Sequence, residues 1–376
     1  MTACTVAVVG AAGFIGNRVV EMLHLGGRHI VRPVVRRPQA LALSCRFDLR
    51  GHLADARDET ALTAAFAGCS HVVHAIAGDP KTIVEAIAPA YRAAARAGVR
   101  RLVYLSSASV HGQSPAPGTN EASSLNNRQS LAYNNAKVEA EWRLQSLRQG
   151  GGVEVVRFRP GIVHGPRSQW SGGFADELLA GNACLVGGGR GICNAVYVDN
   201  LVEAIVLALT EPRADGEAYI VGDAECVTWA DLCRPIAEAL HCDLEELSVP
   251  APSRTFVARG RTRLSATLRA AASRLPRRAR RALRAALREL RGGDPPAFAR
   301  GALLTEERIA LHTCGFRLPI DKARRELGYV PVVDFEAACR QTVAWLAFAG
   351  YPVRGGAPSA IRANSRPIQR FEAAEP

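Results

Sequence analysis

The chain has no apolar run approaching the ~20 residues that a membrane-crossing helix needs. Its first residues, Met1-Thr-Ala-Cys-Thr-Val6, lack the basic start and apolar core of a secretory signal. A cytosolic protein is therefore expected. Cys-x-x-Cys pairs are also missing: the ten cysteines stand apart, with no histidine at zinc-ligand spacing. Free thiols are expected, and neither a metal site nor a disulfide framework. Acidic residues are scarce in one stretch, Ser253 to Gly293, where thirteen arginines accompany the single acid Glu289; this segment carries the whole formal net charge of +12. The rest of the chain is formally neutral, so the basic excess is local and does not describe a general nucleic-acid-binding surface. With 376 residues, 48% of them hydrophobic and 22% charged, the chain can bury a full core, and an α/β fold with one appended lobe fits its length.

The most informative stretch lies near the start. Val6-Ala7-Val8-Val9 runs into Gly10-Ala-Ala-Gly13-Phe14-Ile15-Gly16, and Asn17 to Leu25 then carries apolar residues at helical spacing. This reads as strand, tight turn and helix. In that setting one glycine allows the turn, one lets the backbone approach a pyrophosphate, and one packs helix against strand. His29 to Val35 reads as a second strand, ending at Arg36-Arg37-Pro38. An acid at that point would bind the free 2′-hydroxyl of an adenosine ribose, whereas arginine accommodates a 2′-phosphate. Arg36 and Arg37 therefore favour NADP over NAD, the alternative being two solvated surface arginines. Asp55 and Asp58 precede a helix starting near Thr60, which either could cap; Asp55 is also placed to reach an adenine amino group. Val72 to Gly78 reads as a buried strand ending in small residues, Ala75 and Ala77, where a cofactor would lie close to the backbone. His71 is expected at the surface and His74 packed inside. A helix from Thr82 to Ala97 leads to the strand Arg101 to Leu105, and this alternation predicts a parallel, doubly wound sheet with a smaller C-terminal lobe.

Side chains able to do chemistry follow that strand. Ser106-Ser107-Ala-Ser-Val-His111-Gly112 leads through a polar loop to Tyr133-Asn-Asn-Ala-Lys137, which opens a helix. A Tyr and a Lys four apart share one helix face. An ammonium held there favours the phenolate and lowers the tyrosine pKa, while a serine hydroxyl holds the substrate oxygen. Taken alone, the spacing also suits an exposed Tyr and Lys on an amphipathic helix.

Five motifs occur in one order: Gly10-x-x-Gly13-Phe-Ile-Gly16, Leu105-Ser-Ser-Ala-Ser-Val-His-Gly112, Tyr133-x-x-x-Lys137, Arg159-Pro160-Gly-Ile162-Val-His164-Gly-Pro166 and Tyr197-Val-Asp-Asn200. Together they resemble the extended short-chain dehydrogenase/reductase family, the group of NAD-dependent epimerases and dehydratases, hydroxysteroid dehydrogenases and dihydroflavonol reductases. The resemblance runs from Val6 to about Ala349 with one interruption. It implies a Rossmann domain at 1–165 with a contribution from 192–225, and a substrate lobe at 166–191 and 226–353. It further implies that Tyr133 is the catalytic acid/base, that Lys137 binds the nicotinamide ribose and tunes Tyr133, that Ser107 orients the reacting oxygen, and that Pro160 lies beside the cofactor. Many members form dimers through helices of the nucleotide domain, so a homodimer is an expectation too.

Departures from the pattern bear on the substrate. Ile162 stands where members acting on nucleotide sugars carry a diphosphate-binding Asn, and Cys193-Asn194 replaces their Arg-Asp. The pattern is closer to the hydroxysteroid and flavonol reductase side, which implies a less polar ketone or alcohol; a nucleotide-sugar epimerase or dehydratase, or a non-catalytic NADP-binding sensor or scaffold, are the alternatives. His111 and His164 replace the usual tyrosines, and no Asn lies between Lys81 and Arg101 to extend a proton relay behind Lys137. In the lobe, Trp170 and Phe174 are placed to line a pocket or to pack a core. Three readings compete for the arginine-rich insertion 253–293: a solvated helical hairpin over the substrate mouth, a helix lying on an anionic membrane surface, or a nucleic-acid contact. The Gly, Ala, Pro and Ser content after Arg354 predicts a disordered tail at 354–376.

Overall fold

The computed structural model describes residues 4–251 and 304–353. The arginine-rich insertion 253–293 and the tail 354–376 lie outside the described residues.

A run of Val and Ala with no polar alternation makes a strand buried on both faces, and β1 (Cys4–Val9) is such a strand. Val6 and Val8 point into one core layer, Ala7 and Val9 into the other. Around it, β2 (His29–Val35), β3 (His52–Leu53), β4 (His71–His74), β5 (Arg101–Leu105), β6 (Glu154–Pro160) and β11 (Ala218–Val221) complete a seven-stranded sheet in the order β3-β2-β1-β4-β5-β6-β11. Every pairing in it is parallel. Successive parallel strands need crossover helices, and these fill both faces. α1 (Phe14–Leu25) and α7 (Val198–Thr210) cover one side. On the other lie α2 (Glu59–Phe66), α4 (Ile87–Arg96) and α5 (Ala132–Gln149). This is the doubly wound α/β fold expected. The strand order reverses between β1 and β4, and in such sheets the crevice beyond the strand ends at that reversal is where ligands bind.

The helix expected from Thr82 to Ala97 is two helices, α3 (Pro80–Glu85) and α4, meeting at Ala86. Pro89 offers no N–H to the carbonyl four residues earlier, which explains the break. Asp58, and not Asp55, caps α2, accepting from the Ala61 N–H at 3.0 Å. His71 is buried with His74, contrary to the surface position expected, because β4 lies in the middle of the sheet with strands on both sides.

The remaining elements build the lobe over one end of the sheet. Short strands β7 (Ile162–His164) and β10 (Ala195–Tyr197) pair with each other, as do β8 (Leu185–Val186) with β13 (Ser248–Val249) and β9 (Ile192–Cys193) with β12 (Val227–Thr228). Three helices, α6 (Gln169–Leu179), α8 (Trp229–Ala239) and α11 (Phe335–Phe348), share a separate core of Ala175, Leu178, Ile236, Ala237, Leu240 and Leu346. Two shorter helices, α9 (Glu306–His312) and α10 (Asp321–Leu327), finish the set. Among the described residues no helix is long and apolar enough to cross a membrane.

Candidate active site

The β1–α1 turn is tight enough to demand glycine at two of its three positions. Gly10 has φ +85°, and a Cβ there would lie 2.8 Å from the Ala75 carbonyl oxygen; at Gly16 a Cβ would lie 2.2 Å from the Gly10 carbonyl oxygen. Gly13 is the N-cap of α1, donates to the Gly10 carbonyl at 2.9 Å, and brings no side chain to the helix end. The first N–H groups of α1, with Phe14 and Ile15 in its first turn and no acid among them, form an uncapped positive end at the strand-order reversal, which fits a dinucleotide pyrophosphate. Beyond β2, Arg36 and Arg37 are exposed. Asp55 is held by Arg57, which donates to both carboxylate oxygens at 3.0 and 2.9 Å. That hydrogen bonding, with the charges of Arg57 and Arg36 adding to it, pulls the Asp55 carboxyl down to about 2. Its pairing with Arg57 was not visible from the sequence.

Ser107 follows β5 as the N-cap of a short 3₁₀ turn, its hydroxyl accepting from the Ser109 N–H at 3.1 Å. Tyr133 and Lys137 rise from the first turns of α5, on the face turned to the sheet. The structure thus brings Ser107, Tyr133 and Lys137 to the ends of β4 and β5. The electrostatics differ from the expectation. Lys137 is buried, donates to the Leu105 carbonyl at 2.7 Å, and lies 5.9 Å from the Tyr133 ring centre. Burial pulls its ammonium down to about 7. Burial also raises the Tyr133 phenol, the nearby Glu307 carboxylate adds to that, and the Ser107 hydroxyl beside it only partly offsets both. The Tyr133 phenol is therefore raised where the i, i+4 argument predicts a fall, because its own burial outweighs the hydrogen bond that lowers it.

A consequence can be measured on the protein without cofactor. Between pH 7 and about 10.4 the unfolded chain keeps the lysine proton that the folded chain has lost, so stability rises with pH across that window. Lys137→Met removes this contribution. Melting temperatures of wild type and variant should converge toward pH 10, with wild type lower relative to the variant at pH 7; a difference independent of pH would contradict the buried-lysine reading.

Beneath these residues lies a network that the sequence did not suggest. Glu141, one turn beyond Lys137, is fully buried; it accepts from the Ser106 hydroxyl at 2.5 Å and from Arg159 Nη2 at 2.7 Å. Burial would raise its carboxyl, but the hydrogen bond and charge of Arg159, helped by Ser106 and Arg157, hold it below the ordinary glutamate value. Arg159 also donates to His111 Nε2 at 3.2 Å, and burial beside that guanidinium pulls His111 down to about 4. His111 is therefore neutral at pH 7 and braces the loop that carries Ser107. His164 is likewise buried and pairs with Asp223 at 3.1 Å. The signal for Glu141 was its i, i+4 relation to Lys137, which puts it on the same inward face.

Ser107 opens into a narrow cleft with Gln113, Pro160, Ile162, Trp229, Leu311 and Leu318. Beyond it, a cavity of about 200 Å³ in the lobe includes Trp170, Phe174, Trp229, Leu311, Glu307 and Arg308. Trp229 and Leu311 belong to both, so cleft and cavity adjoin. Trp170 lies 5.4 Å from Trp229 centre to centre, and Trp229 stacks on His312 at 4.7 Å. The Arg308 guanidinium is taken by Glu177, at 2.7 and 2.9 Å. Trp229, Leu311 and Glu307 escaped the sequence reading because they sit on elements far from every motif. Pro160 borders the Ser107 cleft, Ala75 abuts the glycine turn, and Ala77 is exposed beyond it. Among the described residues no cluster of His, Cys, Asp and Glu could hold a metal ion.

Comparison with known proteins adds to this geometry. Residues 6–222 match the description "NAD dependent epimerase/dehydratase family". A UDP-glucose 4-epimerase of Vibrio cholerae is 27% identical over 65% of this chain and 79% of its own length. A 3 beta-hydroxysteroid dehydrogenase/Delta 5→4-isomerase of Mycobacterium tuberculosis is 27% identical over 89% of this chain and 88% of its own. Among solved structures, the dTDP-glucose 4,6-dehydratase DesIV of Streptomyces venezuelae, with NAD and TYD bound, aligns with a TM-score of 0.66 and 22% identity over 92% of this chain and 97% of that one.

Proposed function

The chain belongs to the NAD-dependent epimerase/dehydratase family, and from that premise we propose that it is an oxidoreductase interconverting a ketone and a secondary alcohol of low polarity, with NADP as its preferred cofactor. A bound nicotinamide supplies or accepts the hydride. In this reading Ser107 holds the substrate oxygen, Tyr133 passes the proton to or from it, and Lys137 turns from the Leu105 carbonyl toward the nicotinamide ribose. An ammonium there would favour the phenolate and poise Tyr133 as acid or base.

The observation carrying the substrate side is the chemistry of the adjoining cavity. Trp170, Phe174, Trp229 and Leu311 line it beside the polar Gln169, Thr305 and His312, and its charged groups are Glu307 and the Arg308–Glu177 pair. A diphosphate would need unpaired cations, of which the cavity offers none among the described residues, and at the Ser107 cleft it would meet Ile162. A largely apolar body suits the aromatic and aliphatic part of this lining. Purified protein supplied with NADPH and aryl or alicyclic ketones should consume cofactor in step with alcohol formed. Tightly retained NAD, with UDP- or dTDP-sugars converted and no net cofactor change, would instead establish an epimerase or dehydratase like the relatives. Retained nucleotide with no conversion of either class would favour a sensor or scaffold.

The cofactor preference rests on Arg36 and Arg37 following β2, where no acid stands to meet a 2′-hydroxyl. Arg36→Ala should weaken NADPH by roughly tenfold or more, the scale of one charge-assisted phosphate contact, and leave NADH little changed. Equal losses in a fluorescence titration would remove the 2′-phosphate argument. The partner proposed for this site is a small molecule.

A further inference from the structure

One charged group in the cavity enters the chemistry described so far only through its effect on the Tyr133 phenol. Glu307 lies in the first turn of α9, the helix that resumes the described chain after the arginine-rich insertion. Its Oε1 accepts from Gln113 Nε2 at 2.8 Å, and Gln113 stands just after the Ser107 turn. This hydrogen bond ties the catalytic loop to the lobe across 194 residues of sequence. Gln113 borders the Ser107 cleft while Glu307 borders the aromatic cavity, so the pair sits where the two meet. Both residues are only half-buried. Gln113 occupies one carboxylate oxygen, and a carboxylate has further lone pairs to offer. The neighbouring Arg308 belongs to Glu177.

We propose that Glu307 is a specificity-determining residue that accepts a hydrogen bond from a hydroxyl carried by the substrate close to its reacting carbon. This rests on the ketone/alcohol reading above and adds a requirement to it: the substrate is an apolar body bearing a second oxygen as donor. The geometry supplies the reason. A substrate whose oxygen is held by Ser107 and whose body extends past Trp229 and Leu311 into the lobe cavity enters the space that Glu307 borders, and a purely apolar molecule there would strip water from a carboxylate without replacing its hydrogen bonds. A hydroxyl replaces them. The same donation weakens the field that the carboxylate exerts on Tyr133, whose phenol it pushes up. Anionic groups are repelled at this point.

The test compares 1-tetralone with 2-hydroxy-1-tetralone, which differ by one hydroxyl next to the carbonyl, on full-length protein saturated with NADPH. Binding is measured by calorimetry with NADP in place of NADPH, so that the ketone is not reduced, and turnover by NADPH oxidation. Wild type should prefer the hydroxyketone by about tenfold or more in Kd, on the scale of a hydrogen bond to a charged group, while Glu307→Ala should lose that preference and bind 1-tetralone as well as wild type or better. Glu307→Gln, which retains an acceptor but not the charge, should keep part of the preference. Tyrosinate absorbance, assigned by difference from Tyr133→Phe, should titrate at lower pH in Glu307→Gln than in wild type. Equal preference in wild type and Glu307→Ala, or an unmoved Tyr133 titration, overturns the proposal. If both ketones bind with the expected preference but neither is reduced, the reading of the reaction fails while the role of Glu307 stands.

Discussion

Tyr133→Phe will lower turnover of ketone or alcohol by roughly 10²–10⁴-fold, the range by which a positioned acid or base accelerates proton transfer, while cofactor affinity stays as in wild type. The substitution removes one oxygen and leaves the ring in place against the core layer formed by α2, α4 and α5. Tyr133 is half-buried beside Ser107, and burial together with Glu307 raises its phenol in the absence of cofactor. It therefore holds its proton at pH 7 and is ready to act as an acid toward a ketone. In the direction of alcohol oxidation the same group must give up its proton first, so that rate should climb with pH. Stopped-flow traces of NADPH oxidation and a cofactor titration on the same preparation separate the two effects. Activity surviving in the variant would transfer the proton role to another group, and joint loss of activity and cofactor binding would point to a disrupted site.

The largest expected effect on stability comes from Glu141→Ala, which should cost about 3–5 kcal/mol, the penalty for breaking a buried ion pair by removing one partner. Glu141 has no exposed surface and Arg159 is 3% exposed, so the guanidinium cannot recover its hydration when the carboxylate is gone. The Ser106 hydroxyl loses its partner in the same step. Ser106 adjoins Ser107, and Arg159 braces His111 from below, so the catalytic turn should loosen as well. Urea denaturation of wild type and variant provides the measurement. Glu141→Gln, which keeps the shape and an acceptor, should fall between them. A loss below about 1 kcal/mol, the level of an exposed ion pair, would mean that water reaches Arg159 and that the network is less closed than its geometry shows.

How much of this was legible beforehand follows from the range of each interaction. The glycine turn could be read because steric demands of backbone on backbone are local: Gly16 meets Gly10, six residues away. The parallel sheet could be read because strands buried on both faces are written as unbroken apolar runs. Tyr133 and Lys137 share a helix face by spacing alone, so their proximity was legible, yet the sign of the Tyr133 shift was not. That sign depends on how deeply Tyr133 itself is buried and on Glu307 arriving from the lobe, neither of which spacing reports. The break at Ala86 is a local consequence of Pro89, whose missing N–H is written in the sequence. His71 was misplaced because strand order, which sends β4 to the middle of the sheet, is a long-range outcome.

Composition, motif order and local spacing by themselves determined a doubly wound α/β fold, a glycine turn leading into an uncapped helix end, and a Ser, Tyr and Lys brought together at one end of the sheet. Each depends on neighbours within a turn or on burial of whole segments. Only the tertiary structure decided the buried Ser106–Glu141–Arg159–His111 support, the pairing of Arg308 with Glu177, and the arrival of Trp229, Leu311 and Glu307 beside Ser107. Those contacts join residues up to nearly two hundred positions apart, and chain connectivity places no constraint on them until the lobe has folded over the sheet.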